Sequence, residues 1–169
     1  MPEPAALDLA PGVRVVWDTE AVRELAPSGA SEPRRLWSLE GSLDEYSLLR
    51  VLSGAVEDGR LVLFAAVRPR EAREHGEELT AAVVIGPEGP KPADEALLST
   101  EYAEDGSPRR ITVELWFDDE DYPLRGAGDA TAVASQERGE DGFARAGAAL
   151  SFRFEGGRGT ASYEITRRA

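Results

Sequence analysis

The chain has 169 residues and a formal net charge of −13, with 41 % hydrophobic and 30 % charged residues. Length and mixture suit one globular domain, 1–169, with a hydrophobic core of its own. The charge opposes phosphate backbones and anionic lipid surfaces, so no nucleic-acid partner is expected, and the basic pairs Arg34–Arg35, Arg109–Arg110 and Arg167–Arg168 lie scattered near acids.

Residue scarcity narrows the chemistry further. Without cysteine there are no disulfides, thiolate zinc sites or cysteine nucleophiles. His75, in REAREHGEE, is the single histidine, so Ser-His-Asp triads and multi-histidine metal centres lack their parts. Lys91 lies in the Gly/Pro loop GPEGPKPAD, whereas a Schiff-base lysine wants a desolvated pocket. Both residues read as solvated surface, and neither a cofactor nor a metal is expected. The longest strictly apolar run, 61–67, is too short to cross a bilayer. The N-terminal MPEPAALDLA has no cationic start followed by an apolar stretch, so no secretory signal is read and the cytoplasm is the expected compartment.

In chain order, Val13, Val15 and Trp17 alternate with Arg14 and Val16, the period-two pattern of a half-buried strand. Residues 18–27 predict one short helix: Asp18 or Thr19 starts it, Ala21, Val22 and Leu25 share a face, and Pro27 stops it. The segments YSLLRVLSG (46–54), RLVLFAAVR (60–68) and LTAAVVIG (79–86) are apolar on both faces and read as central strands covered on both sides. PREAREHG (69–76) could form one or two helical turns, and PADEALLS (92–99) is read as beginning helically before entering a strand. Alternation returns at Ile111, Val113, Leu115 and Phe117, at Leu150, Phe152 and Phe154, and at Ala161, Tyr163 and Ile165. The intervening Glu57-Asp58-Gly59, Gly86-Pro87, Asp105-Gly106, Asp141-Gly142 and Gly156-Gly157 are hairpin marks, because tight turns need residues that tolerate positive φ. About eight to ten short strands joined by hairpins make an antiparallel meander. The fold expected is all-β, a meander closing into a lipocalin- or calycin-like barrel, with a β-sandwich as the alternative.

The densest chemical feature is WFDDEDYPLRG (116–126), with four consecutive carboxylates at 118–121. Calcium needs six or more oxygens around one point, usually with a glycine for the bend, and paired catalytic carboxylates need unlike environments. DDED offers neither and reads as a hairpin tip, with weak cation binding as the alternative. EGGRGTAS (155–162) suggests a phosphate cradle, but TASYEIT after it alternates as a strand where the cradle needs a helix. Arg50 interrupts YSLLRVL on a face expected to hold Tyr46, Leu48 and Leu52. A guanidinium on an inward face must meet a protein acid or a ligand anion, since an unpaired buried charge is very costly. Trp17, Trp37, Phe64 and Tyr163 are candidates to line the same interior.

ITVELWFDDEDYPLRGAGDATAV followed by DGFARAGAALSFRFEGGRGTASYEITRR, within residues 111–168, resembles the closing strands of hydroxyneurosporene-synthase and tocopherol-cyclase-like calycin barrels. Gly157, Gly159 and Glu164 are the matching positions. The resemblance implies a barrel and an apolar, isoprenoid- or lipid-like ligand; it carries over no activity.

The function expected is non-covalent binding of a small apolar or amphipathic molecule inside the barrel. Arg50 would hold an acidic head, and Trp17, Trp37, Phe64 and Tyr163 would bury the rest. The alternatives are a metal-independent hydratase, cyclase or isomerase using a cavity carboxylic acid, with Glu40, Glu101, Glu114 and Glu164 as its candidates, and a ligand-free interaction module.

Overall fold

The computed structural model describes residues 5–28, 32–71, 78–138 and 142–168. Among them, three strands, β1 (Ala5–Ala10), β2 (Val13–Trp17) and β3 (Trp37–Gly41), pair in that order as a small antiparallel sheet. Between β2 and β3 lie two helical turns, α1 (Thr19–Arg23) and α2 (Leu25–Ser28). The large sheet holds β4 (Tyr46–Val56), β5 (Leu61–Pro69), β6 (Leu79–Gly86), β7 (Gly89–Pro92), β8 (Glu95–Tyr102), β9 (Pro108–Trp116), β10 (Leu124–Arg138), β11 (Phe143–Phe154) and β12 (Gly157–Arg168). Its spatial order is β7-β6-β5-β4-β12-β11-β10-β9-β8.

The fold is therefore all-β and antiparallel, a nine-stranded sheet curled into a half-barrel. Within the large sheet, β4 to β7 and β8 to β12 each run as consecutive hairpins, and β12 returns to lie beside β4. The curl brings the two ends of the sheet together without a continuous ladder. Ala93 N–H donates to the Ala82 carbonyl at 2.9 Å, and the Thr80 hydroxyl donates to the Ala96 carbonyl at 3.0 Å. These contacts tie β6 to the β8 side, which reduces the exposure of unpaired edges.

Alternation along the central strands divides the buried residues into two cores. Leu52, Val62, Phe64, Ile111, Val113, Leu115, Leu150, Phe152, Phe154 and Tyr163 fill the concave face. The opposite side chains of the same strands, Leu49, Val51, Leu61, Leu63, Ala65 and Val67, pack on the convex face against Val13, Val15 and Trp17 of β2 and Leu36 and Trp37. The small sheet thus covers β4 and β5, which explains why these strands are apolar at successive positions. Both faces are dry.

The predicted helix at 18–27 is two short turns. Asp18 caps the first, accepting from Ala21 N–H at 3.2 Å, and Val22 and Leu25 are fully buried in the convex core. PADEALLS contains no helix: Glu95 onward is β8, paired along its length with β9. Residues 72–77, which include His75 and most of the second predicted helix, lie outside the described residues, as does Asp141.

Several turn marks have the expected geometry. Phe154 pairs with Gly157, leaving Glu155 and Gly156 as a two-residue loop with φ of 40° and 80°, the positive pair that matches strand twist. Glu155 tolerates that conformation with local support: its N–H donates to the Arg125 carbonyl, and its carboxylate accepts from Arg125 N–H, both at 3.1 Å. The acidic run 118–121 lies in the connection between β9 and β10, where Asp119 pairs with Lys91 at 2.9 Å. Among the described residues, no helix is long and apolar enough to cross a membrane.

Candidate functional site

The most polar feature of the concave core is at Arg50. It lies on β4 in the phase of Leu52 and pairs in register with Ala66 of β5 and Ile165 of β12. Only 8 % of its surface remains exposed. Its Nε donates to Glu78 Oε2 at 3.0 Å, and Nη2 reaches Glu78 Oε1, forming the two-pronged pair that guanidinium geometry favours. The other edge points across the curl. Nη1 donates to the Leu98 carbonyl of β8 at 2.9 Å and approaches the Tyr163 hydroxyl at 3.3 Å and Thr100 Oγ1 at 3.5 Å. Tyr163 and Thr100 share a hydrogen bond of 2.8 Å. The Phe64 ring lies 5.8 Å from the guanidinium carbon.

Burial works to lower the pKa of Arg50, but Tyr163 and Glu78 outweigh it and the net direction is upward. The guanidinium stays charged. Burial also pushes the Tyr163 phenol up, against the pull of Arg50 and Thr100, so the phenol stays neutral. The result is a positive group fixed on one edge by neutral oxygens and on the other by one carboxylate.

Outside this network lies a cleft of about 610 Å³. Arg50 and Glu78 form part of its wall, with Leu48, Leu97, Leu98 and Tyr102 as apolar lining and Arg68, Arg167 and Arg168 as further cations. Arg168 is tied to backbone carbonyls, including Leu43 at 2.9 Å and Tyr46 at 3.0 Å. Arg167 lies over the Tyr102 ring at 5.0 Å. Glu78 is the only carboxylate among the described lining residues.

The five residues expected to share a site are divided between the two cores. Arg50, Phe64 and Tyr163 are together on the concave side. Trp17 and Trp37 are in the convex core, where Trp17 donates its indole N–H to Ser53 Oγ at 2.9 Å and Arg35 stacks over Trp37 at 4.1 Å. Tyr46 also belongs to the convex core, not to the face of Arg50. A register shift between Tyr46 and Leu48 inverts the alternation there.

None of the four candidate carboxylates reaches the Arg50 cleft. Glu40 is exposed beside Arg14 at 3.5 Å, Glu101 is exposed 4.0 Å from Arg109, and Glu114 pairs with Arg125 at 3.4 Å on the outer face. Glu164 alternates against Tyr163 onto the convex side. There, burial raises its pKa more than Arg35, the nearby Trp37 indole and Arg145 lower it. Among the described residues, Glu164 Oε1 and Trp37 Nε1 are buried and neither completes a hydrogen bond. No group of three or more metal-ligating side chains assembles among the described residues.

Sequence reasoning missed Glu78, Thr100, Arg68 and Tyr102. Nothing in EHGEELT distinguishes Glu78 from Glu77, and the contact with Arg50 spans 28 positions. Arg167 and Arg168 were visible only as one basic pair among others; the β12–β4 pairing brings them to the cleft. In comparisons with known proteins, the chain matches no family model and no curated protein.

Proposed function

We propose that the protein binds a small amphipathic molecule non-covalently in the Arg50 cleft, with an acidic head among the arginines and an apolar part against Leu48, Leu97 and Tyr102. One observation carries this reading: in a chain of net charge −13, the described residues that line one cleft with apolar walls include four arginines and a single carboxylate. About 610 Å³ lies in the usual range for small-molecule sites. Local positive charge in an acidic protein selects for an anion by short-range contact. The concave core is packed with its own side chains, so the proposal puts the ligand at the end of the curl and not along its axis. The resemblance to calycin barrels that handle isoprenoids supports a lipid-like apolar part.

Titration calorimetry with dodecanoate and 1-dodecanol tests this. The acid should bind better than the alcohol. The double variant Arg68→Gln/Arg167→Gln should weaken the acid by about tenfold, equivalent to about 1.4 kcal/mol, and leave the alcohol unchanged. Equal affinities for acid and alcohol, or an acid affinity indifferent to both arginines, would overturn the reading.

A further inference from the structure

The Arg50–Glu78 pair has an asymmetry that a purely structural ion pair does not need. The Nη1 edge of Arg50 is held by the Leu98 carbonyl, with Thr100 and Tyr163 beside it. That edge alone fixes where the guanidinium lies. Among the described residues, the Nε–Nη2 edge is held by Glu78 alone. Glu78 itself stands immediately before β6, and the β5–β6 ladder begins with the next residue, Leu79, paired to Val67. Its side chain can therefore leave Arg50 without breaking a ladder hydrogen bond. Both residues line the cleft.

We infer that Glu78 is a resident stand-in for the ligand's head group. A carboxylate on an apolar chain takes its place on the Nε–Nη2 edge of Arg50, and Glu78 moves out into water. This rests on the cleft reading above and specifies its ligand as an amphipathic monocarboxylate. The exchange replaces one two-pronged carboxylate pair by another, so in the complex Arg50 keeps a carboxylate partner instead of being buried and unpaired, which is costly. Glu78 regains hydration on leaving. The apolar chain adds burial against Leu48, Leu97 and Tyr102 that Glu78 cannot supply. An alcohol or ester cannot make the exchange, because it would leave the guanidinium without a counter-charge. The pair thus works as a selectivity filter: the cleft opens fully only to a ligand that carries what Glu78 carries.

A structural ion pair and a stand-in differ in the sign of one measurement. Removing the charge of Glu78 from the full chain, as Glu78→Gln, should tighten dodecanoate binding roughly tenfold, the gain expected if Glu78 occupies the slot about nine-tenths of the time. Methyl dodecanoate should be unmoved. Glu78→Asp, one methylene shorter and still charged, should give a smaller gain in the same direction, and it serves if the glutamine variant folds poorly. Dodecanoate binding that is unchanged or weaker in both variants, or an ester gain as large as the acid gain, overturns the exchange. Dependence on Arg68 and Arg167 without any response to Glu78 sinks the exchange alone and spares the cleft reading. Acid binding indifferent to Arg68 and Arg167 sinks the cleft reading itself, and failure of wild type and variants alike to bind dodecanoate sinks both.

Discussion

Glu164 shows how one residue of strand phase decides a side chain's chemistry. Tyr163 and Ile165 point into the concave core; Glu164, between them, is carried to the convex side, where burial raises its carboxyl pKa. A raised folded pKa means that the unfolded chain releases this proton first as the pH climbs. The contribution of Glu164 to stability is therefore fully present below the ordinary glutamate value of 4.5 and is lost as the pH rises through the folded value. At neutral pH the wild type holds a partly desolvated charge that a neutral side chain would avoid. Glu164→Gln should accordingly be more stable than wild type to urea at pH 7, and the two should converge at pH 4 and below. Lower stability of the variant at pH 7 would mean that attraction to Arg35 and Arg145 outweighs desolvation. Arg50 was legible as a residue needing a partner, because a guanidinium amid Leu48, Leu49, Val51 and Leu52 has no other way to be buried. Its partner was not legible. Neither was the departure of Tyr46 from its face, since a one-residue shift leaves no trace in the alternation until the pairing of β4 with β5 is known.

At the level of elements, the sequence spoke most clearly through period. Strands apolar on both faces predicted a covered sheet, and β4 and β5 are covered on both sides. What period cannot say is which remote segment supplies the cover. Trp17 and Trp37 looked like lining for the same interior as Phe64, yet β2 and β3 put them behind the sheet. Glycine gave a similarly partial message. Gly156 declared the β11–β12 turn through its need for positive φ. Gly159, two residues into β12, has another reason to be glycine: a Cβ there would lie 1.8 Å from the Ala55 carbonyl oxygen. That is backbone against backbone, and no rotamer change relieves it. Gly159→Ala should therefore cost about 3 kcal/mol or prevent folding. Gly86→Ala, where a Cβ meets nothing within 4 Å, should stay within about 0.5 kcal/mol of wild type. Chemical denaturation of the two variants side by side checks this, and a mild effect at Gly159 would show that β12 can shift away from β4.

Over the whole molecule, two electrostatic regimes coexist. The chain carries 32 acids against 19 bases, so repulsion among the excess carboxylates opposes the compact state. Against it stand exposed ion pairs such as Arg14–Glu40 at 3.5 Å and Arg125–Glu114 at 3.4 Å, each contributing at most about 1 kcal/mol. Salt weakens both effects, so the sign of its action on stability reveals which is larger. The repulsion is long-ranged and summed over the surface. Raising ionic strength from about 0.01 M to about 0.15 M shrinks the screening length from about 30 Å to about 8 Å, which removes mainly the long-range part and leaves close pairs partly intact. Added sodium chloride should therefore raise Tm over this range, by roughly 2–4 °C per kcal/mol gained in a domain of this size. Arg50 and Glu78, with side chains only 9 % and 14 % exposed, lie largely beyond the reach of mobile ions, so the stability lost in Arg50→Met should be the same at both salt concentrations. A Tm that falls with salt would put the surface ion pairs above the net charge. A salt-dependent loss in Arg50→Met would mean that water and ions already reach the guanidinium.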